Sequence, residues 1–460
     1  MSKEWHEQSA LELGAGIGNG AIDPVELTEH FLTRIAAHDP THLTYLRTTP
    51  VRARAEALAA QKRAKEKLRL SPLDGVPISW KDLFDTAGDV TSHGSLTLKE
   101  RVSPADAALV SRATRAGLIC LGKTNQTEFA YSILGLNPTL GTPPNACDKK
   151  IDRVPGGSSS GAATSVAGGL AAGAIGSDTG GSVRAPASWN GLVGLKTTFG
   201  RLPLDGALAL SPSMDSAGPL TRDVADAAAL FAILDGRFGI GSAQPPDLAG
   251  ASLGEVALLK PSRGILWSAL DDGIGGVVEA ALAKLAKAGA KLSDGEAPEF
   301  DAAHDALVQY GPYHAAEAYA IWKDVIEARP NLMFGPILER MRQGATFNAA
   351  SVETLKGILA KLALALTARI KAEGAIVAPT MALSPPPIAG LDTDMEAYST
   401  ANLKGLRNTR LVNFFGLSAI TVPVGTDRNG LPVGLSVIGA AGWDERLLRM
   451  AKAIESALSP

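Results

Sequence analysis

Between Arg153 and Asp178 the chain carries no charged residue, and most of the stretch is Gly, Ser and Ala. It is long enough to cross a bilayer, which takes about 20 residues. Leu170 and Ile175 are its only Leu or Ile, so lipid transfer gains little, whereas small side chains let backbones approach closely. A tightly packed interior helix is the expected structure. Burying such a run takes a large core. The 460 residues, 45% hydrophobic and 20% charged, are ordinary globular usage. Forty-nine glycines and 28 prolines exceed that usage and point to many tight turns.

Charge and cysteine content exclude several classes. Lys and Arg total 44 against 47 Asp and Glu, a net charge of −3. No bulk field draws nucleic acid or an anionic membrane. Two cysteines, Cys120 and Cys147, make neither a disulfide framework nor a four-thiolate metal site. The histidines show no metal spacing either. The polar segment Met1–Gln8 lacks the apolar core of a secretory signal, so the expected location is the cytoplasm.

Along the chain, strand and helix patterns alternate. Asp23 before Pro24 is a cap followed by a first-turn proline, opening an amphipathic helix through Ile35. Val51–Leu68 is a second helix. Gly75–Lys81 and Leu118–Leu121 read as strands, with a helix over Asp106–Ala116 between them. Farther on come helices over Val224–Leu234 and Gly276–Ala288, strands at Glu255–Leu259 and Ala375–Ala378, and a final helix over Glu445–Ala457. Ala419–Pro423 and Val433–Ile438 form a hairpin around Asn429-Gly430. The alternation predicts an α/β layered fold. No linker is long enough to divide it. Residues 300–350, rich in aromatics, read as a helical insertion, either a pocket wall or an ordinary packed pair.

Two familiar patterns fail on their context. Gly117-Leu-Ile-Cys-Leu-Gly-Lys-Thr124 matches a phosphate loop by letter, but Leu-Ile-Cys-Leu is a buried strand and cannot wrap an anion with its N–H groups. A nucleotide-binding protein using Gly117–Thr124 is the remote alternative. Gly157-Ser-Ser-Ser-Gly161 matches a nucleophile elbow, which needs a strand before it and a histidine after it. The residues before it are charged and end in Pro155, and the only later histidines are His304 and His314.

A third constellation fits its chemistry. Pro155-Gly-Gly-Ser158-Ser-Ser-Gly161 is followed by Gly176-Ser-Asp178-Thr-Gly-Gly-Ser182-Val-Arg184, and Leu73-Asp-Gly-Val-Pro-Ile-Ser-Trp-Lys81 lies upstream. With no histidine nearby in sequence, Lys81 at the end of an apolar strand is the candidate base. Thr179-Gly180-Gly181 is a small-residue turn that can aim consecutive N–H groups at one point, as an oxyanion requires. Lysine is a base only when neutral, and its ordinary pKa is ~10.4. Burial beside Val76, Ile78 and Trp80 lowers it; a drop of ~3 units corresponds to ~4 kcal/mol against the charged form.

These residues resemble the amidase signature family, serine hydrolases with a Ser–cis-Ser–Lys triad. The resemblance extends over the whole chain, through Gly122–Asn125, Gly191–Thr198, Asp215–Leu220, Asn413–Pro423 and Gly430–Gly434. It implies one α/β/α layered domain over 1–460 with a central mixed sheet flanked by helices. Within it fall N-terminal helices over 8–70, a signature core over 71–235, an insertion or lid at about 300–350, and C-terminal strands and helix over 375–458. By that similarity Ser182 is the nucleophile, Ser158 the bridging serine after a cis peptide bond, and Lys81 the base. The N–H groups of Thr179, Gly180, Gly181 and Ser182 form the oxyanion hole, while Asp178 and Arg184 are structural charges holding the turn. The expected reaction is hydrolysis of a small-molecule amide through an acyl-serine, with no metal or organic cofactor. Dimerisation is common in that family. The glutaminase subunit of a tRNA-dependent amidotransferase is the alternative within it. Segments Leu134–Cys147 and 300–350 are expected to set the substrate.

Overall fold

Asp23 accepts a hydrogen bond from Val25 N at 2.8 Å and Pro24 takes the first helical position, so the helix Pro24–His38 begins where that pair predicts. The structure is a computed structural model that describes residues 3–237 and 246–459. The strands are β1 (Tyr45–Thr48), β2 (Pro77–Lys81), β3 (Ile119–Thr124), β4 (Gly173–Asp178), β5 (Val193–Lys196) and β6 (Ser216–Thr221). They continue as β7 (Ala257–Pro261), β8 (Lys291–Gly295), β9 (Ala375–Pro379), β10 (Ser418–Thr426) and β11 (Pro432–Gly439).

All join one sheet in the order β1-β3-β2-β4-β6-β5-β10-β11-β9-β7-β8. The sheet is mixed. β3, β2 and β4 run parallel, as do β9, β7 and β8, and antiparallel pairs connect these two blocks. Helices cover the sheet, and β2 to β6 are buried along their whole length. Such strands read as short apolar runs rather than alternating ones. Among the described residues no helix is long and apolar enough to cross a membrane.

The uncharged run is interior, but it is not one helix. The helix covers only Ser160–Ala167, ends at Gly168-Gly169, and is followed by β4. The run therefore packs twice, as helix and as strand. Ala162, Ala163 and Val166 of the helix meet Ala174 of β4 together with Val183, Ala187 and Leu220 in one small-residue cluster. The Gly-Lys-Thr of the phosphate-loop match closes β3 instead of opening a loop. Lys123 is buried there, with Nζ donating to Thr91 Oγ1 at 3.0 Å.

The helical layer between β8 and β9 is larger than the aromatic segment alone. It comprises Pro298–Tyr310, Tyr313–Ala328, Gly335–Gln343 and Ala349–Glu373. Its third helix reaches the mouth of the site described next.

Candidate active site

Lys81 ends β2 and Ser177 is next to last in β4. The two strands are parallel neighbours with Trp80 opposite Ile175, so their carboxyl ends arrive together at one edge of the sheet. Lys81 is fully buried. Its Nζ donates to Ser158 Oγ at 2.7 Å and to Ser177 Oγ at 2.8 Å. Burial pushes its pKa down from 10.5 to about 7, although Asp215 and Asp178 pull the other way. Ser158 follows a cis peptide bond from Gly157. A Cβ on Gly157 would stand 2.5 Å from Gly135 N, so only glycine fits against that crossing backbone.

Ser182 lies in the turn between β4 and the helix Arg184–Trp189. Ser159 N donates to Ser182 O at 3.3 Å, which ties this turn to the loop carrying Ser158. Gly181 adopts φ +125°, and a Cβ there would fall 2.2 Å from Thr409 Oγ1. Thr179 Oγ1 donates to Asp215 Oδ1 at 2.5 Å, while Leu210 N and Ser211 N donate to Oδ2 at 2.9 and 3.0 Å. Burial raises the Asp215 carboxyl to about 6 against these bonds.

Asp178 organises the turn from beneath. Its carboxylate accepts Gly181 N (2.8 Å), Val183 N (3.1 Å) and Asn413 Nδ2 (2.8 Å), and it pairs with Arg184 Nη2 at 3.0 Å, both partners fully buried. Burial alone would raise this carboxyl. The charge and hydrogen bonds of Arg184 outweigh that and hold it well below the usual carboxylate range. Gly181 N–H is thus engaged by Asp178, which revises its expected place in the oxyanion hole. Breaking a buried ion pair leaves an uncompensated charge. Arg184→Met is accordingly expected to destabilise the fold by about 3–5 kcal/mol in urea unfolding. A loss under about 1 kcal/mol would show that the pair does not hold the turn.

Three connected chambers surround the turn. An apolar one of about 220 Å³ is walled by side chains such as Leu83, Leu204, Leu208 and Pro212, with Ser177 and Asp215 also lining it. A neck of about 30 Å³ holds Thr179, Gly180 and Ser182. Outside it opens a vestibule of about 530 Å³. Residues 134–147, expected to shape the pocket, line none of the three. Asn137 Nδ2 binds Gly94 O and Gln126 O, and Asn145 Nδ2 binds Trp189 O, which draws that segment behind the Ser158 loop. Ala130–Ser132 take the place at the neck instead.

His314 also borders the neck, yet among the described residues no hydrogen bond joins it to a carboxylate. Burial, with Arg340 and Arg410 nearby, lowers it to about 3. Among those residues a Ser-His-Asp arrangement is absent. Ser159, the centre of the elbow-like pattern, donates to Ser177 O at 3.2 Å inside the protein. Sequence reasoning missed Ser177, although it stands one residue before Asp178 in the quoted motif.

The Amidase family model matches residues 26–448. The 2-amino-5-chloromuconic acid deaminase of Comamonas testosteroni is 35% identical over 449 residues, covering 97% of this chain and 96% of that protein. The chain belongs to the amidase family. Amidase-family relatives include a glutamyl-tRNA(Gln) amidotransferase subunit from Acinetobacter baumannii (strain AYE), 33% identical over 96% of this chain and 94% of that protein. A crystal structure of an amidase superposes with a TM-score of 0.87 at 29% identity, over 98% of this chain and all of that one. The peptide amidase of Stenotrophomonas maltophilia gives 0.80 at 30% identity, covering 98% of this chain and 97% of that one. This amidase-family chain is a hydrolase acting on amides.

Proposed function

We propose that Ser182 is the nucleophile, Ser158 the proton relay and Lys81 the base in hydrolysis of a small carboxamide. The observation that carries this reading is the buried Lys81 amine, pushed down to about 7 and 2.7 Å from Ser158 Oγ. Near neutrality a large fraction of it is uncharged. A neutral amine keeps one N–H on Ser177 Oγ while its lone pair accepts the Ser158 proton, so Ser177 orients the base.

Ser158 then accepts the proton of Ser182 as Ser182 Oγ bonds to the amide carbon. The carbonyl electrons move to oxygen, opposite the N–H groups of Thr179, Gly180 and Ser182. As the C–N bond breaks, the proton returns from Lys81 through Ser158 to the leaving nitrogen, and ammonia or an amine departs. Water attacks the acyl-Ser182 by the same relay, and the acid is released.

The amidotransferase relatives support a second reading, in which the chain generates ammonia for partner subunits. Incubating the purified chain alone with a panel of primary amides, anilides and ureas separates the two. Ammonia or amine release is expected from simple amides without partner or tRNA. No release until companion subunits and tRNA are supplied would favour the second reading.

A further inference from the structure

The vestibule and the neck share Tyr131, His314, Arg340, Leu406 and Arg410, so they form one passage that ends at Ser182. Arg407 and Lys404 line its outer part, and no Asp or Glu borders either chamber among the described residues. Two of these four cations stay outside the neck. Lys404 pairs with Asp271, and Arg407 donates to Ser268 O. Arg340 and Arg410 differ. Among the described residues neither they nor Arg407 has a carboxylate within ion-pair distance, and of the four only these two also line the neck beside Ser182.

The protein instead holds these two guanidinium groups in place with neutral contacts. Arg340 Nη1 donates to Tyr131 O at 2.7 Å, and its guanidinium lies 4.4 Å from the centre of the Tyr131 ring. Arg410 Nη2 faces His304 Nδ1 at 3.4 Å, and its Nε is buried without a partner. They come from separate elements, the helices Gly335–Gln343 and Arg410–Phe414. Burial, with the charge of Arg340 nearby, lowers the Arg410 pKa. Two like charges, partly desolvated and lacking a counter-ion, cost free energy that an anion between them would recover.

We propose that Arg340 and Arg410 form a carboxylate-binding pocket at the mouth of the site, and that the amide hydrolysed here carries a carboxylate a short chain away from its scissile carbonyl. The proposal rests on the reading of Ser182 as nucleophile and names its substrate class. The charged end of the substrate lies in the passage. The scissile bond sits at Ser182, and apolar carbon beyond it enters the apolar chamber lined by Leu83, Leu204 and Leu208. Arginine suits this task because its planar fork matches both carboxylate oxygens.

Two measurements on the full chain test it. The first compares ω-carboxyalkanamides of two to five methylenes with neutral amides in which an isopropyl group replaces the carboxylate. Wild type is expected to favour the acids by about 50-fold or more in kcat/KM, within the 1.5–3 kcal/mol typical of a charged hydrogen-bonded contact. In Arg410→Met, and independently in Arg340→Met, that preference is expected to fall at least about tenfold through KM, with Arg410→Lys retaining part of it. The second titrates Ser182→Ala protein with the matching dicarboxylates by calorimetry. Binding is expected, and Arg410→Met added to that background is expected to weaken it at least about tenfold. Equal turnover of acid and neutral amides, with no dicarboxylate binding, overturns the carboxylate pocket and leaves the amidase reading standing. Dicarboxylate binding without turnover of any amide supports the pocket and overturns the reading of Ser182.

Discussion

Ser182→Ala is expected to lower kcat on amides by about 10⁶, the loss seen when a serine hydrolase is deprived of its nucleophile. The size follows from what remains. Thr179 and Gly180 still face the substrate in the neck, and Lys81 with Ser158 still forms a hydrogen-bonded pair, but no oxygen can bond to the carbonyl carbon. The residual rate is that of water in a binding site. The fold is expected to persist. The turn is held by Asp178 through Gly181 N and Val183 N and by Ser159 N on the Ser182 carbonyl, all of them backbone contacts that alanine keeps. Ser182→Ala protein should therefore melt within about 1 °C of wild type, which for a chain of this length is a shift of about 1 kcal/mol or less. It should also fail to take up a fluorophosphonate probe that labels wild type once. Labelling that survives, or a kcat within tenfold of wild type, would assign the nucleophile to another serine.

How far the sequence predicts this arrangement depends on the length scale of each feature. Ser158, Ser182 and Lys81 are legible because each stands in a local pattern of turn glycines or strand residues. The hairpin at Asn429-Gly430 is legible for the same reason, and β10 and β11 pair around it. β5 and β6 are not recognisable as strands. Ser216–Thr221 contains a glycine and a proline and is buried on both faces, so neither β-propensity nor alternation marks it. The uncharged run misleads because small residues suit a packed helix and a packed strand equally, and only the Gly168-Gly169 stop divides them. Ser177 and the pair Arg340 and Arg410 escape notice for a different reason. Their meaning comes from neighbours on distant segments, which spacing along the chain does not encode.

Lys81→Met is expected to separate catalysis from stability. Without the base, kcat/KM should fall by about 10⁴, the upper range for general-base catalysis. Wild-type kcat/KM should rise with pH through about 7 and then level off, as the Lys81 ammonium loses its proton. The variant should lose that step. Stability moves the other way at neutral pH. Between pH 7 and 10.5 the unfolded chain holds a proton on this lysine that the folded chain lacks, so the wild type gains stability as pH rises. At pH 7 the lysine costs the fold on the order of 4 kcal/mol, and by pH 10 less than about 1. Methionine removes this cost and also removes two hydrogen bonds, to Ser158 and Ser177, worth about 1 kcal/mol each. The variant should be about 1–2 kcal/mol more stable than wild type at pH 7 and less stable at pH 10. Urea unfolding of both proteins at the two pH values reads this directly, since groups common to both cancel in the difference. A stability difference that keeps one sign and size across that range would mean that Lys81 stays charged in the folded protein, and a charged ammonium cannot take the proton from Ser158.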